Sequence, residues 1–143
     1  MRIITVSATH SGLGKTTIVE QLLRQLKNWG ALKVTVTKSG PCPRKISCGV
    51  CAGQKSPFSI IYKSRIINQK GKDTQRMKEA GAKKVLWLKA KPSGLKNGLK
   101  KALEIFKGSE GVVVEGNSVL KYLKPDLGIF ITRTGRIKFS KCS

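Results

Sequence analysis

Acidic residues are scarce in this chain: seven Asp and Glu stand against 29 Lys and Arg, a formal net charge of +22 over 143 residues. Solubility does not require such an imbalance, and it favours polyanionic company such as nucleotides, nucleic acid or an acidic partner protein. It also shortens the list of groups able to hold magnesium or move a proton to Glu20, Asp73, Glu79, Glu104, Glu110, Glu115 and Asp126. Histidine is rarer still. The single His10 lies in a glycine-containing loop, where a polar or phosphate contact is a better reading than proton transfer. Only eight aromatic residues occur, and they do not interleave with the basic ones as in a single-strand-binding surface. Nucleic-acid contact is therefore expected as nonspecific attraction at low salt. No apolar run approaches the ~20 residues that span a bilayer, which excludes a membrane helix. The apolar stretch at Ile3 to Val6 is far too short for a secretory leader, so the expected compartment is the cytoplasm.

Enough apolar residues are present, 39%, for a single packed core, and the length suits one domain over 1–143. Ile3 to Ser7 reads as a short buried strand. A loop with two glycines follows, then a helical pattern with Ile18, Leu22, Leu23, Leu26 and Trp29 on one face, closed by Gly30. A second apolar run, Lys33 to Thr37, completes a βαβ unit with parallel strands and a right-handed crossover. Residues 40–57 hold three cysteines, three prolines and three glycines and read as a loop insert after the second strand. Phe58 to Tyr62 and Arg65 to Asn68 suit a hairpin, Asp73 to Ala80 a short helix stopped by Gly81, and Lys84 to Lys89 a strand.

Leu95, Leu99, Ala102, Leu103 and Phe106 form the apolar stripe of a further helix ending near Gly108. Its polar side carries Lys96, Lys100, Lys101 and Lys107, read as a solvated basic face. Gly111-Val-Val-Val-Glu115 reads as a fully buried parallel strand that delivers Glu115 to its carboxyl end, where open α/β sheets place their ligands. Leu127 to Thr132 and Arg136 to Phe139 close the chain as a hairpin. The fold class is α/β, with a mostly parallel sheet flanked by helices in three layers.

The sharpest chemical signal is Ser11-Gly12-Leu13-Gly14-Lys15-Thr16-Thr17 at the joint between the first strand and the first helix. Gly12 and Gly14 let the backbone fold around a phosphate, the helix N-terminus directs N–H groups at it, Lys15 neutralises its charge, and Thr16 offers a hydroxyl to magnesium. Thr9 stands where the usual phosphate-binding loop has its opening glycine. A carboxylate commonly completes the magnesium site. Glu115 is the first candidate and Asp73, in Gly71-Lys72-Asp73-Thr74, the second, with helix capping as its alternative role. Asp126 reads as a turn residue. Glu20, Glu79, Glu104 and Glu110 read as solvated positions.

Several separated segments share a family pattern: Gly12-Leu13-Gly14-Lys15-Thr16-Thr17, Lys38 at the end of the second strand, Gly71-Lys72-Asp73-Thr74 with Ala80-Gly81-Ala82 downstream, and Val114-Glu115-Gly116. In these the chain resembles the molybdopterin-guanine dinucleotide biosynthesis protein B family of P-loop NTPases, over residues 1 to about 132. The resemblance implies a homodimer that binds GTP with magnesium and assists the nucleotidyltransferase of molybdenum-cofactor maturation. It places phosphate and magnesium on Gly14, Lys15 and Thr16, with Asp73 and Glu115 near the metal. Guanine specificity is not legible in the residues themselves, because no Asn-Lys-x-Asp motif occurs.

Cys42, Cys48 and Cys51 are clustered in the 40–57 insert, and Cys142 follows the last strand. The four thiols suit a zinc ion or an iron–sulfur cluster, or else stay as free thiols or a disulfide. The function expected from these observations is a nucleotide-binding adaptor with slow GTP hydrolysis in metallocofactor maturation. Two alternatives stand beside it. One is a metal–thiolate interaction or nucleic-acid-binding module on a P-loop scaffold. The other is an ATP-dependent small-molecule ligase or kinase resembling dethiobiotin synthetase.

Overall fold

A computed structural model describes residues 1–9, 14–37, 56–69, 72–132 and 137–140, the last four by their backbone. The strands are β1 (Arg2–Ala8), β2 (Trp29–Val36), β3 (Phe58–Ile61), β4 (Val85–Ala90), β5 (Gly111–Glu115), β6 (Leu127–Ile131) and β7 (Ile137–Ser140). The helices are α1 (Lys15–Gln25), α2 (Ser64–Ile67), α3 (Asp73–Glu79) and α4 (Leu95–Ile105). All seven strands join one sheet in the order β3-β4-β2-β5-β1-β6-β7. The five inner strands run parallel, and β3 and β7 close the two edges antiparallel.

The alternation of the central strands sorts their side chains to two faces. Val113 of β5, Ala31 of β2 and Val6 of β1 pack with Val19 and Leu23 of α1 and Met77 of α3. Val112 and Val114 point the other way, with Leu32 and Leu88, against Leu95, Leu99 and Ala102 of α4. The helices thus cover both faces of a mostly parallel sheet, and burial of each large aliphatic side chain contributes about 1.5–3 kcal/mol. The expected α/β class is what the strands and layers form.

Four details depart from the sequence reading. β1 and β2 run parallel but do not touch, because β5 lies between them and pairs with both. Trp29 and Gly30 open β2 instead of closing α1, which ends at Gln25. Asn28 at φ 61° turns the chain there, and Trp29 packs over Gly111, whose missing side chain makes room for the indole. Residues 65–68 are not a strand: α2 occupies Ser64–Ile67, and β3 pairs with β4 instead, Phe58 opposite Ala90 and Ile61 opposite Trp87. An edge strand finds a longer partner in β4 than a four-residue neighbour could supply. Glu20 is not solvated; it is ion-paired with Arg76 of α3 and with Arg24 at 3.6 Å.

Other expectations agree with the structure. The 73–80, 84–89 and 94–107 segments form α3, β4 and α4, and the closing strands pair as β6 and β7. Asp126, expected as a turn residue, ties the start of β6 to β1, its carboxylate accepting from the Ile3 amide at 2.8 Å while its own amide donates to Ile3 oxygen at 2.8 Å. The insert at 40–55 lies outside the described residues.

Candidate functional site

At the carboxyl end of the parallel strands, on the face covered by α1 and α3, six polar side chains meet in an otherwise apolar layer. β1 runs toward α1, whose first residues are Lys15 and Thr16. Gly14 precedes the helix at φ +88°, a left-handed conformation that a Cβ would strain, with open space around it. The turn therefore depends on glycine for its backbone and not for its packing.

Thr16 is buried, and its hydroxyl lies 3.4 Å from each carboxylate oxygen of Glu115. Glu115 ends β5 and is 4% exposed. Burial pushes its carboxyl above the usual glutamate range, the nearby Asp73 charge pushes the same way, and Lys33, Lys15 and Thr16 oppose them. Asp73 opens α3, and the Thr16 hydroxyl is among the groups that favour its ionised form. Burial works against the Asp73 carboxylate, but the hydrogen bond and charge of Lys33, with Thr16 and Arg76, outweigh it and hold the group below the usual aspartate range. Thr16, Asp73 and Glu115, separated widely in sequence, are thus one cluster.

Two residues of the cluster have no counterpart in the motif reading. Lys33 stands opposite Glu115 in the β2–β5 register and donates to Asp73 Oδ2 at 2.6 Å. Its ammonium also lies 5.8 Å from the ring centre of Trp87, which is fixed by donating its indole N–H to Thr35 at 2.9 Å. The available signal was a lysine inside a strand that is otherwise apolar, since a cation buried in a sheet needs a partner. Asn117, just beyond β5, accepts through Oδ1 from the Lys15 ammonium at 2.9 Å and from the Ala8 amide at 3.0 Å. The only hint of it was its place two residues after Glu115.

These contacts fix the loops to each other. Ser7 donates its hydroxyl to Gly116 oxygen at 2.7 Å, and the Gly116 amide donates to Val6 oxygen at 3.1 Å. The tips of β1 and β5 are joined below the cluster. Lys15 is half-buried; desolvation lowers its pKa, Glu115 acts in the opposite sense, and Lys33 adds to the lowering. Arg76 ties α3 to α1 through its ion pair with Glu20 and through its donation to Thr17 at 3.3 Å. Thr17, expected at the cofactor, is therefore engaged by α3.

Two carboxylates and a hydroxyl are hard oxygen donors, the set that magnesium prefers, and their convergence fits that ion. Thr16, Asp73 and Glu115 would hold it. Among the described residues no group of three or more His, Cys, Asp or Glu side chains is placed to hold a metal ion. His10, Ser11, Gly12 and Leu13 lie outside the described residues, as do Lys38, Cys42, Cys48, Cys51 and Cys142. No helix is long and apolar enough to cross a membrane among the described residues. The sequence matches no family model, and neither curated proteins nor solved structures give a match to the chain.

Proposed function

We propose that the protein binds a nucleoside triphosphate with magnesium at the junction of β1, α1 and β5, and hydrolyses it slowly. The observation that carries this reading is the Thr16 hydroxyl set between both carboxylate oxygens of Glu115, with the Asp73 charge close by and Lys15 next to Thr16 at the start of α1. A phosphate chain at this helix terminus meets unpaired N–H groups and the positive end of the helix dipole. Lys15 supplies full charge, and Asn117 holds its ammonium over the end of β1. Magnesium, when bound, neutralises charge on the phosphate oxygens. Lys15 and the helix terminus act in the same electrostatic sense, which favours binding and slow turnover over fast hydrolysis.

The family resemblance narrows the reading to GTP and to an adaptor role in molybdenum-cofactor or related metallocofactor maturation. A nucleotidyltransferase is the partner that such a role favours, or an acidic protein, which a charge of +22 favours, with a homodimer as the working form. The test is a magnesium-dependent titration of GTP and ATP at about 150 mM salt, where weak surface attraction is screened, with Lys15→Ala alongside. Selective GTP binding that Lys15→Ala abolishes supports the adaptor. ATP preference instead moves the reading to an ATP-dependent ligase or kinase. Equal weak binding by both proteins overturns the nucleotide site altogether.

A further inference from the structure

A second concavity lies at the opposite end of the sheet, where β4 begins. It is a half-open hollow of about 470 Å³, within the range of roughly 300–1,000 Å³ typical of small-molecule sites. Its walls come from α2, the end of α3, the turn into β4 and the last residue of α4. The β3–β4 pairing stops at Ile61 opposite Trp87, so Val85 and Leu86 have no strand on that side and the cavity opens against them.

Its chemistry is divided. Ile105, 41% exposed although it ends an amphipathic helix, and Tyr62 give the accessible apolar surface, backed by the buried Ile67 and Leu86. Lys78, Lys83 and Lys84 give the polar part, and no Asp or Glu lines the cavity. Among the described residues none of the three lysines forms an ion pair. Two are held at the rim by backbone oxygens: Lys78 donates to Lys83 oxygen and Lys84 to Ile105 oxygen, each at 3.3 Å. The segment that carries them is itself fixed, since the Lys83 amide donates to Trp29 oxygen at 2.9 Å and the Ala31 amide to Lys84 oxygen at 2.8 Å. All three lysines are exposed and line one concavity without an acidic neighbour in the lining, so an anion entering it is favoured electrostatically. Because the Lys78 and Lys84 ammonium groups are already tethered, less freedom is lost when the anion arrives.

We infer that this cavity is a binding site for a small organic anion with an apolar body, its carboxylate or phosphate head held by Lys78, Lys83 and Lys84 and its body laid against Ile105 and Tyr62. The site is separate from the cluster around Thr16, and it does not depend on the nucleotide reading.

Fluorescence titration with anilinonaphthalene sulfonate, an anion with an aromatic body, at about 150 mM salt tests it. One mole is expected to bind per chain, and its uncharged relative phenylnaphthylamine is expected to bind at least about tenfold more weakly. Lys78→Ala/Lys83→Ala/Lys84→Ala should weaken the probe at least about tenfold. Lys96→Ala/Lys100→Ala/Lys101→Ala, which removes the same charge from exposed positions of α4, should leave it unchanged. Ile105→Glu, read by circular dichroism for an intact fold, should abolish binding on its own and serves if the triple variant fails to fold. Displacement by octanoate assigns a carboxylate head and displacement by octyl phosphate a phosphate. The inference is overturned if octanol displaces the probe as well as either anion, if the α4 variant loses binding as the cavity variant does, or if Lys15→Ala removes it.

Discussion

The ammonium of Lys33 stands 2.6 Å from Oδ2 of Asp73, so a lysine of β2 occupies one of the carboxylates that would serve magnesium. The two side chains are 25% and 34% exposed, enough shielding for the pair to matter and enough water for it to open. Lys33→Met is expected to destabilise the metal-free fold by about 1 kcal/mol at neutral pH and to tighten magnesium binding by leaving Asp73 without a competitor. The folded Asp73 carboxyl lies below its ordinary 3.8, so its stabilising contribution is present above that value and is lost as pH falls through the lowered folded value. The stability gap between the two proteins should therefore close in strong acid, as followed by thermal melting across pH.

Glu115 behaves in the opposite sense. Its folded pKa is raised above the ordinary 4.5, chiefly by burial, so ionisation costs the fold stability as pH rises through the raised value. Glu115→Gln is expected to raise the melting temperature of the metal-free protein at neutral pH and to leave it unchanged below pH 4.5, where the carboxyl is neutral folded or unfolded. The same variant should lose magnesium-dependent nucleotide binding, a trade of site for stability. Melting without metal and nucleotide titration with it check the two halves.

Asn117 joins two functions in one oxygen. Asn117→Ala leaves the part-buried Ala8 amide and the Lys15 ammonium without that acceptor, an expected loss of about 1–3 kcal/mol. Nucleotide affinity should fall as well, because Lys15 is no longer held over the end of β1. Asn117→Asp supplies an acceptor of the same shape and should restore stability; denaturant unfolding of both variants decides.

The Trp29–Gly111 contact predicts a packing defect that a second change repairs. A Cβ on Gly111 would stand 2.5 Å from the indole, and a side chain held inside β2 cannot move far. Gly111→Ala should cost about 1–3 kcal/mol. Trp29→Leu in the same chain should recover part of that loss, and a double-mutant cycle measures the coupling.

The sequence made individual elements readable where one periodicity held alone. The run Gly111 to Glu115 announces a buried strand, and the stripe from Leu95 to Phe106 announces α4 within a residue or two of Leu95–Ile105. Periodicity fails where the partner decides. Trp29 continues the apolar face of α1 by spacing, yet Gly111 on a distant strand takes it into β2. Arg65 to Asn68 forms a helical turn because β4 already provides the partner for β3. Of the candidate site, Thr16, Asp73 and Glu115 were legible as residue types and are brought together. Lys33 and Asn117 were not, because each acts through a neighbour that only the strand order brings within reach. Glu20 looked like a solvated helix position for the same reason: Arg76 meets it from α3.

The position of β5 between β1 and β2 also sets the order in which the chain can fold. The first two strands leave the ribosome early, but each finds its inner neighbour only after residues 111–115 have been made. Until then their facing edges, which carry Ile3, Ile4 and Val6 on one strand and Ala31, Leu32 and Val34 on the other, have no mutual pairing to close them. The chain must pass through synthesis with its central strand missing, the circumstance in which slow, long-range sheets draw on chaperones. A fragment ending at residue 105 would carry both strands of the apparent βαβ unit and still unfold without a cooperative transition.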